Sequence, residues 1–214
     1  MEKTWEIKAA LYELLAKTFL FTEREVVEAL VSGDYSEALV ELIAANNVQA
    51  DLGEESGSDL DCYRRKDENE VFHDLRREYT RLYIGSREPL IVPFAGTWEA
   101  ARRGQEPLLF VGKESMEIER FMRRCGIVQA GESNDPLDHI GSMLEFLMHL
   151  CMLRAGIVKP PEGIEVPESA YADFYEEHFI GFAHAFAEET IAGSNEKFFT
   201  VAARVLQALP GEPL

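Results

Sequence analysis

Basic residues, cysteines and long apolar runs are what this sequence has least of. Lysine and arginine number 21 against 39 aspartates and glutamates, a formal net charge of −18. Such a field repels phosphate backbones and anionic headgroups, so nucleic acid is not expected as a partner, whereas a cationic partner is steered inward. The same acidity also serves plain solubility. The three cysteines, Cys62, Cys125 and Cys151, are an odd number without CxxC spacing, which argues against a disulfide framework and a thiolate metal site. No run of eighteen apolar residues occurs, so no membrane-spanning helix and no stable membrane insertion is expected. Met1-Glu2-Lys3-Thr4-Trp5-Glu6 lacks a basic segment followed by an apolar one, so no secretory signal is expected and the cytoplasm is the expected location.

Against these scarcities stand 46% hydrophobic residues and 10% aromatics, enough for a packed core. Apolar residues recur at steps of three and four, and no two-residue alternation is long enough for a sheet. The pattern predicts an all-α fold, a single bundle of about eight helices over residues 1–214. Sub-lobes 1–85 and 106–214, joined by loop 86–105, are the alternative division. Helices are predicted over 5–21, 35–45, 67–85, 113–125, 136–154, 169–192 and 195–209, with one more opened by the Thr-x-x-Glu capping box of Thr22 and Glu25 and closed by Gly33. Residues 46–61 read as a polar loop. Residues 86–105 differ in kind: Pro89, Pro93, Gly96 and Gly104 break an apolar stretch holding Ile91, Val92, Phe94 and Trp98, a loop that has to be pinned against something.

The sharpest local signal is Asn134-Asp135-Pro136-Leu137-Asp138-His139, directly before the apolar run Ile140, Met143, Leu144, Phe146, Leu147 and Leu150. Asp135 suits an N-cap and Pro136 the first helical position, where its missing N–H costs nothing. Asp138 then falls at the third position, facing free backbone donors and the positive end of the helix dipole. That explains Asp138 structurally. Nothing local requires a histidine at 139, whose ring reads either as a satisfied buried group or as a hydrogen-bonding group for a ligand.

Asp135-Pro136-Leu137-Asp138-His139-Ile140 followed by Met143-Leu144-Glu145-Phe146-Leu147 resembles the Glu-Pro-x-Asp-His signature of the TorD/DmsD/NarJ redox-enzyme maturation chaperones. Glu78-Tyr79-Thr80-Arg81-Leu82-Tyr83 is similar to that family's Glu-Tyr-x-x-Leu-Phe segment, and Pro93-Phe94-Ala95-Gly96-Thr97-Trp98 stands where the family has its Pro-rich aromatic loop. Asp135 replaces the signature's Glu, and Tyr83-Ile84-Gly85-Ser86 replaces Phe-x-Gly-Pro. The resemblance implies a chaperone without catalysis or cofactor, monomeric or homodimeric. It would bind the twin-arginine signal peptide and precursor of a molybdopterin oxidoreductase, assist cofactor insertion and prevent premature export. It also implies a groove lined by Tyr79, Tyr83, Pro93, Phe94 and Trp98, with Asp135, Pro136, Asp138 and His139 at its edge, and Asp138, Asp135 or Glu99 as arginine partners. Tyr79 and Leu82 lie on an apolar helical face and read more readily as core than as groove.

Two other classes stay in view. A carboxylate-bridged metal bundle needs two Glu-x-x-His pairs, and only Glu70 with His73 matches, Glu145 and His149 being one turn apart. A helical adaptor for a folded partner fits the same composition. No Gly-x-x-x-x-Gly-Lys-Ser/Thr, Gly-x-Gly-x-x-Gly or Gly-x-Ser-x-Gly element is present to support nucleotide or hydrolase chemistry.

Overall fold

A computed structural model describes residues 2–50, 58–85, 87–104, 112–127 and 136–213. Described secondary structure is helical, with one isolated antiparallel bridge between Phe94 and His139. The all-α expectation holds. In chain order the helices are α1 (Glu2–Phe19), α2 (Arg24–Ser32), α3 (Asp34–Ala45), α4 (Ser58–Asp61), α5 (Glu68–Tyr79), α6 (Ala95–Arg102), α7 (Lys113–Arg124), α8 (Ile140–Arg154), α9 (Ala170–Phe174), α10 (Ile180–Gly193) and α11 (Lys197–Gln207). A π-helical turn, Thr80–Ile84, extends α5, and a second, Tyr175–Phe179, joins α9 to α10.

Helix α8 is apolar nearly all round and buries Ile140, Met143, Leu144, Phe146, Leu147, Leu150 and Cys151. A helix of that kind belongs at the centre of a bundle. Its most extensive partner is α1, which contributes Leu11, Tyr12, Leu15 and Phe19, while α10 packs on α11. Phe174, Phe179, Phe182, Phe186, Phe198 and Phe199 join these helices in one continuous apolar core. Edge-to-face pairs such as Phe146 with Phe174, centroids 4.6 Å apart, fix how the rings interlock.

Several boundaries depart from expectation. Helix α2 starts at Arg24 with Glu23 as its N-cap, so the capping box does not form; the Thr22 hydroxyl is buried without a hydrogen-bond partner among the described residues. Gly33 does end α2, at φ +97°, a left-handed conformation that suits glycine. Helix α6 occupies the second half of the expected loop 86–105, so Trp98 rides on a helix. The apolar helix begins at Ile140, four residues after Pro136, which removes Asp138 from its first turn.

Candidate functional site

The segment before α8 joins three helices. Ile140 N–H donates to the Pro93 carbonyl at 2.9 Å, and Ala95 N–H donates to the Asp138 carbonyl at 2.9 Å. Asp138 Oδ2 accepts from Gly96 N–H at 3.1 Å and from the Ser115 hydroxyl at 2.7 Å. Asp138 therefore satisfies the free donors at the start of α6 and ties that helix to α7. Gly96 is needed for this approach, because a Cβ there would stand 2.0 Å from Ser115 Oγ and 2.9 Å from Asp138 Oδ2. Burial pushes the Asp138 carboxyl above the usual carboxylate range, and its bonds from Ser115 and Gly96 pull it partly back.

His139 is the N-cap of α8. Its Nδ1 accepts from Gly141 N–H at 3.1 Å, which places the proton of the neutral ring on Nε2. Nε2 faces Tyr79 Oη at 3.4 Å, and Tyr79 donates to the Phe19 carbonyl at 3.3 Å. Both residues are about 95% buried, and Phe94 packs edge-on against the imidazole. Tyr83 is buried too, stacked on Phe186 and bonded to Thr190 Oγ1 at 3.2 Å. Desolvation raises its phenol pKa well beyond the ordinary value.

The residues named from sequence therefore separate into two groups. Tyr79, Tyr83, Pro93, Asp138 and His139 are buried, while Phe94, Trp98 and Pro136 are partly exposed. Asp135 lies outside the described residues. The structure brings Phe94, Asp138 and His139 together at the α6–α8 junction, with Tyr79 behind. It does not set the eight described residues around one open groove.

The opening lies on the far side of α6. Trp98, Glu99 and Arg102 of α6 and Arg103 at its C-terminal cap face Glu114, Glu117 and Ile118 of α7, Glu176, Glu177 and His178 of the second π-helical turn, and Gly181 and Phe182 of α10, across a cleft of about 500 Å³. Its base is apolar, with the Trp98 and Phe182 rings 6.0 Å apart. Five glutamates oppose two arginines around it. Two of those glutamates are already served: Glu99 takes Arg102 Nε and Nη2 at 2.8 Å each and Arg103 Nε at 2.7 Å, and Glu114 takes Arg103 Nη1 at 3.2 Å. The Arg102 and Arg103 bonds hold the Glu99 carboxyl below its ordinary pKa, against the effect of burial. His178, wedged against Phe121 and Phe174, has a lowered pKa from desolvation and adds no positive charge near neutrality.

Glu114, Glu117, Glu176, Glu177, Ile118 and Phe182 escaped the sequence reading. They sit on helices remote in sequence from Trp98, and an acidic stripe on a helix looks like any solvated face. Among the described residues no group of three or more His, Cys, Asp or Glu is placed to hold a metal ion, and His73 is exposed. No described helix is long and apolar enough to cross a membrane.

Comparison with known proteins adds the following. Residues 33–188 match the family described as nitrate reductase delta subunit. The chain is 24% identical over 145 residues to the chaperone protein TorD of Vibrio cholerae serotype O1 (strain M66-2), covering 68% of this chain and 63% of that protein. It is 23% identical over 155 residues to the chaperone protein TorD of Shewanella pealeana, covering 68% of this chain and 66% of the relative. The matches thus span just under two thirds of the relatives' own length.

Proposed function

Since this chain belongs to the nitrate reductase delta subunit family, we propose that it is a non-catalytic chaperone. In this reading it holds the twin-arginine leader of a molybdopterin oxidoreductase precursor in the cytoplasm until cofactor insertion is complete. The curated relatives' name, chaperone protein TorD, supports the chaperone part.

The observation that carries it is the Trp98 cleft. A leader with paired arginines before an apolar stretch asks for carboxylates beside apolar area, because guanidinium groups want charge-assisted bonds while the apolar stretch wants burial. The cleft combines an apolar base with five glutamates. Trp98 lies half-buried at that base beside Phe182, in the manner of an interface anchor. Asp138 and His139 act from behind: Asp138 sets α6 against α7, and His139 caps the helix behind the junction. The net charge of −18 steers a cationic leader toward the chain before contact.

Calorimetry of the purified chain against a synthetic twin-arginine leader tests this. Binding is expected, weakened when the Arg pair is replaced by Lys, whose ammonium lacks the planar fork that engages both carboxylate oxygens. Absence of leader binding, with retention of a folded partner, would transfer the chain to the adaptor class.

A further inference from the structure

We infer that the partner's cationic groups are received by Glu176 and Glu177 of the π-helical turn and by Glu117 of α7, the carboxylates of the Trp98 cleft that no arginine holds among the described residues. This inference rests on the proposed function and narrows it.

It follows from accounting for each acid around the cleft. Glu99 is spanned by the Arg102 fork and also bonded by Arg103, and Glu114 has its Oε1 on Arg103. Asp138, behind α6, spends Oδ2 on Gly96 and Ser115. A guanidinium arriving at Glu99 would compete with bonds on both oxygens, and at the buried Glu114 or Asp138 it would share a carboxylate already committed through one oxygen. Glu99 and Glu114 are 18% and 6% exposed at the side chain, so stripping Arg103 from them would leave poorly solvated carboxylates. Glu176 and Glu177 are exposed, and neither has an ion pair among the described residues. Among the described residues Glu117 is paired only with the Lys113 ammonium, at 3.6 Å and largely in solvent.

These three acids are not an isolated acidic patch. They share the cleft with the half-buried Trp98 ring and Phe182, so one occupant can bury apolar surface and form ion pairs together. Charge then selects the occupant: the arginines of the cleft are spent internally and its free groups are all anionic. The acids lie at or opposite a π-helical turn, an irregularity frequent at functional sites.

The test measures leader affinity by calorimetry for the full chain and for E176Q/E177Q, E117Q and E23Q/E25Q. The last changes net charge equally on exposed residues of the α2 start, away from the cleft. The probes are a synthetic leader with an Arg-Arg pair before an apolar stretch and its Gln-Gln counterpart. E176Q/E177Q should bind the Arg-Arg leader about tenfold or more weakly and E117Q severalfold more weakly, as expected for lost charge-assisted bonds. E23Q/E25Q should stay within about threefold, the general-field effect alone. The preference of Arg-Arg over Gln-Gln should shrink in E176Q/E177Q while its melting temperature holds. E176Q/E177Q matching wild type, or matching E23Q/E25Q, overturns the inference and leaves the proposed function standing. A wild-type chain that binds neither leader sinks both.

Discussion

Asp138→Ala separates a brace from a peptide contact. The substitution removes the acceptor for Gly96 N–H and Ser115 Oγ–H, both in a region where Asp138 is 4% exposed. Hydrogen bonds to a charged group are worth roughly 1.5–3 kcal/mol each, and two stranded donors would cost about 3–6 kcal/mol together. Part of that is returned, because the buried carboxylate no longer has to be desolvated, which is why its pKa lies above the ordinary value. A net loss of about 2–4 kcal/mol is expected. For a chain of this length each kcal/mol lowers the melting temperature by roughly 2–4 °C, so a fall of about 5–15 °C should appear by calorimetry or circular dichroism. Asp138→Asn keeps one acceptor oxygen and should recover about half of the loss, and leader affinity should return in step with stability. A variant Asp138→Ala that melts with wild type yet no longer binds the leader would refute the bracing role and put the carboxylate in direct contact with the peptide.

Two other outcomes are expected. Trp98→Ala removes a half-buried ring that touches Phe182 and lies under the Arg102 guanidinium, so leader affinity should fall about tenfold while melting shifts by only a few degrees; unchanged affinity would detach Trp98 from the site. Glu78 is buried, yet Arg81 and the Asn195 N–H hold its carboxyl below the ordinary 4.5. The folded state thus binds this proton less readily than the unfolded chain, so the contribution is fully present above pH 4.5 and is lost as pH falls through the lowered folded value. Glu78→Gln should therefore lie below wild type in stability at pH 7 by a gap that narrows as the pH is taken progressively below 4.5, and a gap independent of pH would contradict the assignment.

Most helices were legible because their apolar spacing is unambiguous: α3, α7 and α8 end within a residue or so of where Ala45, Arg124 and Arg154 stand in the pattern. What was not legible depended on breakers and on register. Pro89, Pro93 and Gly96 mask α6, but Ala95–Arg102 holds good helix formers once Pro93 has passed. Thr22 and Glu25 have the spacing of a capping box, yet the chain turns so that the Thr22 hydroxyl is buried and Glu23 takes the cap. The π-turn Tyr175–Phe179 leaves no mark that a 3.6-residue period can reveal.

The site shows the same division between chemistry and placement. An acid ahead of an apolar helix points to that helix's free N–H groups, and Asp138 does serve the free N–H groups of a helix start, but those of α6, whose Gly96 lies 42 residues back in the chain. His139, for which no local reason was visible, turns out to be the cap itself, since Nδ1 accepts from Gly141 N–H. Local spacing can show that a carboxylate and a cap are needed near a helix start. It cannot say which of two helix starts each will serve, because that is decided by the Phe94–His139 bridge, a contact between segments that only folding brings together. The acids left free for a partner are hidden for the same reason. Glu176 and Glu177 gain their meaning from Arg102 and Arg103 occupying Glu99 and Glu114, and that is set by how α6 packs on α7.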